Sequence, residues 1–379
     1  MAIKSYKTKN NETRYYFNAY VGRNPKTGKN VYKKRQGFKT KKECQIALAE
    51  LLKDIEENGL FNEDKSMTFK ELYDMWLKQH RLNVKPSTIA TNRRFVEGHV
   101  LPHLGDMNLD DITVVYCQKL VNEWYEKYKQ YTYFRKVTAQ IMRYGEAMEI
   151  MKSNPMAKTI LPRKKEEEKK LKYYTKEELQ HFFECLEQFG NYKQLAFFRT
   201  LAFTGARKSE ILSLQWNDID LFNKTVSIGK TLAVDENLNI IIQKPKTSSS
   251  IREISLDDET IKILSRWRSI QREEYFKLGY NTTSEEQYIF TNDRNELYYP
   301  QIANDWLKYL IKKYDLPKIT PHNFRHTHAS LLLQAGIPVK EVSERLGHKD
   351  IKITLDIYSH VMPEEAEKTA SKFANFVGF

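Results

Sequence analysis

The chain has 379 residues, of which 40% are hydrophobic, and its formal net charge is +13. This length exceeds what one compact core organises, so we expect two or three domains, and the apolar content excludes a chain that is disordered throughout. The sequence holds no apolar run of about 18 residues for a transmembrane helix, and its N-terminal residues lack the apolar core of a secretory signal. The positive charge favours a polyanionic partner, nucleic acid ahead of an anionic membrane surface, with a merely basic protein as the alternative.

Three cysteines, Cys44, Cys117 and Cys185, are scattered along the chain without a C-x-x-C pair. Such a set argues against a disulfide framework or a structural zinc site. It is typical of the reducing cytoplasm, where we expect this chain to act.

The first 60 residues are the most basic part of the chain, with 11 lysines and 3 arginines against 6 acidic residues. Strand-favouring residues predict strands over 13–21 and 30–38, and the capping box Thr40-x-x-Glu43 predicts a helix that Gly59 ends. We therefore expect a small sheet with one helix packed on it. A basic strand on such a sheet can enter a major groove, and a solvated charged face is the alternative. Among the basic residues on or beside the second strand, which include Lys34 and Lys39, the candidates for DNA contact are Lys29, Lys33 and Arg35.

The next stretch is predicted to be all-helical. Helix-start signals stand at Thr68, Pro86 and Thr113, and Asn154-Pro155 is expected to end a fourth helix. Apolar residues recur at helical spacing and are interpreted as core. Side chains that can grip phosphates in this stretch are Lys85, Ser87, Thr88, Arg93 and Arg94.

A charged run from Leu161 to Lys172 is expected to be an exposed interdomain linker, and a charged helix extension is the alternative. The rest of the chain is expected to be one domain that opens with the capping box Thr175-x-x-Glu178. Strands are predicted there near 225–231, 239–244 and 251–256.

Two segments of this last domain carry basic groups in defined places. Arg207 and Glu210 stand three residues apart near a helix start, where the carboxylate can orient the guanidinium. Lys246 projects from a polar turn between two strand-like runs. Taken alone, an Arg–Glu pair of this spacing is more often a surface ion pair. A hairpin lysine such as Lys246 is more often only solvated.

Two further segments carry histidines, an arginine and a tyrosine. A Thr-Pro helix start precedes His322 and Arg325, which share a helix face. His348 follows in a Leu-Gly-His segment, and Tyr358 comes ten residues later. These groups suit attack on a phosphodiester, since cationic donors and a hydroxyl nucleophile are what the reaction needs.

A zinc site is an alternative for the same helix, because His322 and His326 have i, i+4 spacing. The zincin motif needs Glu at the second position, where this chain has Asn323. Arg325 would also repel a divalent ion. We therefore expect no metal.

The order of these groups is far more specific than any one of them. The motifs T-G-x-R-x-x-E, P-K-T-x-x-S-x-R-x-I, H-x-x-R, L-G-H and Y-S-H together resemble the catalytic domain of the tyrosine recombinases. The whole chain resembles an integrase of temperate phages and conjugative transposons, most specifically from residue 173 onward. Ala206 and Ser209 depart from the common pattern of the family, but no catalytic position is missing.

The resemblance implies a multidomain α+β fold in three parts. A small N-terminal β-sheet-plus-helix domain, which binds arm-type DNA, would cover residues 1–62. A helical, SAM-like core-binding domain would cover residues 66–160. A mixed, mainly helical tyrosine recombinase catalytic domain would cover residues 173–379.

The resemblance also implies roles for the catalytic residues. Arg207 and Arg325 would hold the non-bridging oxygens of the phosphate, and Lys246 would protonate the leaving 5′ oxygen. Tyr358 would be the nucleophile, with His322 as its base. His348 would donate a second hydrogen bond to the phosphate or act as a proton shuttle. Glu210 would support the neighbouring site residues.

The implied activity is integration and excision of a prophage or mobile element through a 3′-phosphotyrosine intermediate and a Holliday junction, with no cofactor. Expected partners are double-stranded attachment sites of core and arm type, a homotetramer on DNA and, in addition, an excisionase and a DNA-bending protein. No membrane partner is expected, and the expected location is the bacterial host cytoplasm, at the nucleoid. A helix that opens at Met362 would dock on a neighbouring protomer or on its own domain.

Two alternatives stay open at this point. A type IB topoisomerase uses a similar Tyr-Arg-Lys-Arg-His site as a monomer to relax supercoils. A non-catalytic DNA-binding regulator would share the positive charge but would need neither Tyr358 nor the two arginines.

Overall fold

A computed structural model of the chain describes residues 3–8, 12–23, 30–58, 67–163, 171–244, 251–358 and 376–378. The chain divides into two compact units: one comprises the residues up to Lys78 with Val96–Leu161, and the other comprises Gln79–Phe95 with the residues from Pro162 onward. Within the described ranges no helix is long and apolar enough to cross a membrane. The expected multidomain α+β class is confirmed, because mainly helical units carry small antiparallel sheets.

The first unit opens with a three-stranded antiparallel sheet and one helix, namely β1 (Lys4–Lys7), β2 (Thr13–Arg23), β3 (Asn30–Phe38) and α1 (Lys41–Asn58). The sequence predicts β2, β3 and α1, whereas it misses β1, a fully exposed strand of four residues without apolar alternation. The capping box at the start of α1 is confirmed, since the amide of Glu43 donates to Thr40 Oγ1 at 3.1 Å. Phe17 of β2 and Cys44 of α1 meet in the small core between sheet and helix.

Helices follow along the chain: α2 (Phe69–Asn83), α3 (Pro86–Phe95), a π-helical turn (Val96–Val100), α4 (Leu101–Leu104), a 3₁₀ turn (Leu109–Asp111), α5 (Val114–Lys127) and α6 (Tyr131–Ala147). The predicted helix start at Thr113 is confirmed, because its side chain accepts from the amide of Tyr116 at 3.2 Å. α6 ends before the predicted stop at Asn154, since Glu149 takes a positive φ of 58°. The apolar stripes are core, as expected: Phe69, for example, is fully buried.

The second unit contains α3 and, after the linker, the elements α7 (Lys176–Phe189), α8 (Tyr192–Thr204), α9 (Lys208–Ile211), a 3₁₀ turn (Trp216–Asp218), β4 (Ile219–Asp220), β5 (Thr225–Ile228), β6 (Thr231–Val234), β7 (Ile240–Gln243), β8 (Arg252–Ser255), α10 (Asp258–Lys277), α11 (Ile302–Tyr314), α12 (Pro321–Gln334), α13 (Val339–Leu346) and α14 (Ile351–Tyr358). β4, β5 and β8 form one antiparallel sheet, and β6 and β7 form a separate hairpin. The single strand predicted over 225–231 is therefore two strands with different partners.

An aromatic core joins three helices of this unit. Phe182 of α7, Phe198 of α8 and Phe324 of α12 have ring centroids 5.1 to 5.6 Å apart. Burial of a side chain of this size contributes roughly 1.5–3 kcal/mol. Because Phe324 directly precedes Arg325, the packing of α12 against α8 fixes where that arginine lies.

α8 ends in a glycine that has no room for a side chain. Gly205 has a φ of +64°, and a Cβ added there would lie 2.6 Å from His328 Cδ2 and 2.9 Å from Leu346 Cδ2. Gly190, which ends α7 with a φ of +75°, has nothing within 4 Å of the same position. Both glycines need a left-handed backbone, but only Gly205 is also packed against neighbours.

We expect Gly205→Ala to lower the free energy of unfolding by about 2–5 kcal/mol. About 1–2 kcal/mol comes from the left-handed backbone and about 1–3 kcal/mol from overpacking against His328 and Leu346. The matched variant Gly190→Ala should show the backbone cost alone. Chemical denaturation measures both, and equal losses would contradict the packing argument.

Candidate active site and DNA-binding surfaces

Arg207 and Glu210 form the first part of the site, at the start of α9. The carboxylate of Glu210 is 5% exposed. It accepts from the Arg207 amide at 2.9 Å and from Arg207 Nη1 at 2.9 Å. The Arg207 side chain is still 44% exposed, so its guanidinium is fixed at one edge and open at the other.

Arg252 of β8 is the second cation on Glu210. Its Nη2 donates to Glu210 Oε2 at 3.0 Å, and its Nε donates to the carbonyl of Arg345 at 2.8 Å. Burial raises the pKa of Glu210, but the charge and hydrogen bond of Arg252 and the contacts of Arg207 outweigh it, so that this pKa lies below its ordinary value. The hairpin motif contains Arg252, but its spacing from Glu210 along the chain does not predict that the two side chains meet.

Arg325 lies deeper, with 2% of its surface exposed. Its Nη1 donates to the carbonyl of Gly205 at 3.0 Å and its Nη2 to the carbonyl of Leu346 at 2.7 Å. Burial, together with the charges of Arg207 and Arg252, lowers the pKa of Arg325 to about 9, which leaves the guanidinium charged at neutral pH.

Tyr358, the predicted nucleophile, ends α14 and is 1% exposed. Its hydroxyl oxygen lies 2.7 Å from Nδ1 of His326. Burial raises the pKa of Tyr358 to about 12, and the charge of Arg325 partly opposes this. The phenol is therefore neutral at physiological pH and needs a proton acceptor before it can attack.

His322, the predicted base, does not hold this hydroxyl. Among the described residues no hydrogen bond joins His322 to Tyr358; the ring of His322 instead meets the ring of His326 edge-on, with centroids 4.8 Å apart. Partial burial and the charges of Arg325 and Arg207 lower the pKa of His322. From the sequence, His326 is a candidate only as a metal ligand, and its i, i+4 spacing from His322 is the one signal that it shares the face of the site.

His348 completes the cluster from the turn after α13. Its Nδ1 lies 2.8 Å from Thr354 Oγ1. Burial, followed by the charges of Arg325, Arg207 and Arg252, lowers the pKa of His348 to about 4. The structure thus brings together Arg207, Glu210, His322, Arg325, His348 and Tyr358, whereas Lys246 lies outside the described residues.

No group of three or more metal-ligating side chains occurs within the described part of the chain. The three cysteines are free and buried. Burial raises the pKa of the Cys117 thiol to about 11.

The N-terminal sheet has one face against α1 and one face away from it. Lys33 and Arg35 are paired with Ala19 and Phe17, whose side chains are buried against α1, so that they share the helix side of the sheet. Lys34 is paired with Asn18 on the opposite face. That open face also carries four tyrosines, Tyr6, Tyr16, Tyr20 and Tyr32. Lys29 lies outside the described residues.

On the open face these side chains form contacts with one another. The rings of Tyr20 and Tyr32 are 5.5 Å apart, and Lys34 Nζ lies 5.4 Å from the ring centre of Tyr16. The face therefore combines aromatic surface with a cation, as nucleic-acid-binding sheets require.

Three of the five candidate phosphate-binding residues in or next to α3 contact the β6–β7 hairpin in the second unit. Ser87 Oγ donates to Gln243 Oε1 at 3.1 Å, and Lys85 Nζ donates to the carbonyl of Lys244. Arg93 Nη1 pairs with Glu236 Oε2 at 2.9 Å. Arg81 pairs with the same carboxylate at 2.7 Å. Thr88 is half-buried, and Arg94 is exposed beside the ring of Phe95.

Three known protein families match the chain in sequence order. An Arm DNA-binding domain matches residues 3–55, the N-terminal SAM-like domain of phage integrases matches residues 68–125, and the phage integrase family matches residues 172–365. The last match covers half of the chain and spans every catalytic position that the sequence predicts.

Proteins of similar sequence and structure support membership of the same family. The ICEBs1 integrase of Bacillus subtilis is 29% identical over 371 residues, which cover 94% of this chain and 96% of the relative. A tyrosine recombinase XerC-like protein of Caldanaerobacter subterraneus is 30% identical over 388 residues, which cover 96% and 97%. The structure of a Tn1549 transposon integrase in complex with a circular intermediate DNA matches with a TM-score of 0.67 at 21% identity, covering 82% of this chain and 100% of that one. This last likeness shows a shared fold.

Glu210→Gln tests the shared carboxylate. At pH 7 we expect it to lower the free energy of unfolding by about 3–5 kcal/mol, as removal of one partner from a buried ion pair does. Because the pKa of Glu210 lies below its ordinary 4.5, this stabilisation is present above pH 4.5 and is lost as the pH falls through the folded-state value. Denaturation at a series of pH values should therefore show the two proteins converging in acid.

The matched control is Glu273→Gln, which removes an exposed carboxylate 2.7 Å from Lys277. It should change stability little at any pH. A pH-independent deficit in Glu210→Gln would contradict the assigned charge state.

Proposed function

This chain belongs to the phage integrase family, and on that basis we propose that its second unit cuts and rejoins DNA strands through Tyr358. The family and the relatives identify a tyrosine-type site-specific recombinase that acts on mobile elements. The observation that carries the residue-level proposal is the convergence of Arg207, Arg325 and Tyr358, which lie far apart in sequence, on one site.

The cations prepare the site for a phosphodiester. The guanidiniums of Arg207 and Arg252 contact one carboxylate, that of Glu210, and the charge of Arg325 lies near them, so the local charge is positive before DNA enters. We assign the exposed edge of Arg207 and the buried fork of Arg325 to the non-bridging oxygens. Each such donor is worth on the order of 3 kcal/mol in the transition state, by analogy with an oxyanion hole.

His322 and His348 are further hydrogen-bond donors to the phosphate, or proton carriers. His322 and His348 both have a lowered pKa, so each is a neutral ring with one N–H to donate at physiological pH. Lys246 is assigned to protonate the leaving 5′ oxygen, on the strength of its place in the P-K-T motif. The product is a 3′-phosphotyrosine and a free 5′ hydroxyl, which can reverse the step without a cofactor.

Three domains are proposed with the boundaries given by the sequence: residues 1–62, 66–160 and 173–379. The family matches over 3–55, 68–125 and 172–365 support them. The first would bind arm-type sites and the second core sites. The match of the first 55 residues to an arm DNA-binding domain favours a recombinase over a topoisomerase.

A homotetramer is proposed for strand exchange. Exchange between two duplexes cuts four strands, and each cut uses one tyrosine, so four protomers on a Holliday junction are needed. The helix expected from Met362, which would link protomers, lies almost wholly outside the described residues. An excisionase, a DNA-bending protein and a place of action in the bacterial cytoplasm are further proposals, and the bacterial sources of the relatives support the last.

Tyr358→Phe is expected to bind DNA with unchanged affinity and to form no covalent adduct, because the phenol oxygen is the atom that joins to phosphorus. The substrate is a nicked duplex built from the DNA that flanks the gene, and the adduct is read on a denaturing gel. A persistent adduct in the variant would refute the assignment.

For arm-type DNA we propose the open face of the N-terminal sheet as the binding surface, with Lys34 as one of its cations. Lys33 and Arg35 are exposed on the side of the sheet that carries α1. Contact of these two residues with DNA stays a prediction, and the strand register does not favour it. Lys34→Ala in the full chain should weaken binding to a duplex of the flanking DNA and reduce the salt slope of log K by about one. Lys33→Ala is the matched control, and an equal or larger loss there would contradict the choice of face.

A further inference from the structure

We propose that His326, rather than His322, accepts the proton of the Tyr358 hydroxyl when that oxygen attacks the phosphodiester. The inference rests on the proposed function and adds a catalytic residue to it.

The geometry is that of a nucleophile and its base. His326 Nδ1 lies 2.7 Å from the Tyr358 hydroxyl oxygen, which is the distance expected of a proton acceptor. Among the described residues this is the only hydrogen bond of that hydroxyl. If Nδ1 accepts, the ring proton lies on Nε2, and the neutral ring has one lone pair directed at the phenol.

The charge states of the pair are also correct for the transfer. Burial, followed by His322 and Arg325, lowers the pKa of His326 to about 4, so the ring is unprotonated at neutral pH. The Tyr358 phenol is protonated there, because its pKa is raised to about 12. Arg325 influences the pKa of both groups. The proton donor Tyr358, the acceptor His326 and the arginine proposed to bind the phosphate therefore share one site.

The step balances in atoms and electrons. A lone pair of the Tyr358 oxygen forms the O–P bond while the O–H bond breaks and its proton moves to His326 Nδ1. The P–O5′ bond breaks, and its electron pair stays on the 5′ oxygen, which takes a proton from Lys246. In the reverse step the departing phenolate recovers its proton from His326.

Because His326 is partly buried beside the charge of Arg325, its protonation depends on bound DNA. Its neighbours are His322 and Arg325 on its own helix α12, His348 from the turn after α13, and Tyr358 from α14. An imidazolium among these groups is unfavourable until a phosphate anion enters. The site therefore retains a neutral histidine and a neutral phenol in the absence of substrate.

The experiment measures covalent adduct formation between pH 6 and 9 with the full chain. The probe is a nicked duplex of the gene's flanking DNA that carries a 5′-bridging phosphorothiolate at the cut site. Sulfur leaves without a proton, so the acid Lys246 does not enter the measured rate, and only the nucleophile side is observed.

We expect His326→Ala to slow adduct formation about 10²–10⁴-fold at pH 7, the usual contribution of a general base. The wild-type rate should be flat across this pH range, because His326 is already neutral. The variant rate should rise about tenfold per pH unit, since it depends on the phenolate fraction well below a pKa of about 12. Added imidazole should restore part of the lost rate.

Controls separate this role from folding and from the proposed function. His181→Ala, on the exposed surface of α7, makes the same chemical change away from the site and should keep the wild-type rate and profile. His322→Ala should slow the reaction but keep the flat profile. DNA binding in a gel shift and thermal melting confirm that each variant is folded.

Four results would overturn the inference. A His326→Ala rate within about threefold of wild type, or a slow rate with a flat profile and no imidazole rescue, would leave Tyr358 as the nucleophile but remove His326 as its base. Absence of any wild-type adduct, or an adduct in Tyr358→Phe, would refute the proposed function together with the inference.

Discussion

The buried carboxylate of Glu210 is the constraint on which the proposed catalytic site depends. It binds Arg207 at the start of α9 and Arg252 on β8, and Arg252 in turn binds the backbone of α13 at Arg345. Three elements that are distant in sequence are therefore held by one ionised group. A single carboxylate does not neutralise the cations around it, since Arg325 lies in the same field. We propose that a DNA phosphate supplies the negative charge that balances this positive excess.

The same part of the fold positions Arg325, which is buried and which we propose to bind the reacting phosphate. Arg325 donates to two backbone carbonyls, at Gly205 and at Leu346, so its guanidinium is oriented by main chain rather than by flexible side chains. Main-chain positions change little when neighbouring side chains adjust, and this gives the preorganisation that electrostatic catalysis requires. The tight packing around Gly205 belongs to the same arrangement, because its carbonyl is one of the two acceptors.

How much of the fold and of the candidate site the sequence predicts depends on how far apart along the chain the interacting residues lie. The capping boxes at Thr40 and Thr175 were predictable because both partners lie within three residues. The strand β1 was not, since its pairing with β2 leaves no apolar pattern in its own four residues. The choice between Lys33 and Lys34 needs the strand register, and the choice between His322 and His326 needs the position of α14. Both are set by tertiary contacts that spacing along the chain does not encode.

The carboxylate of Glu236 changes what two arginines of the second unit gain from any DNA they meet. Arg81 and Arg93 already share this carboxylate, so a phosphate that binds them has to displace it. The affinity gained is then the difference between two ion pairs, which is far smaller than the strength of either one. A duplex of random sequence makes few other contacts that offset the loss of the ion pairs with Glu236. A target with many other matched contacts offsets that loss. An internal competitor of this kind lowers the affinity for every DNA that these arginines contact by the same factor, so that only a target with further matched contacts stays bound.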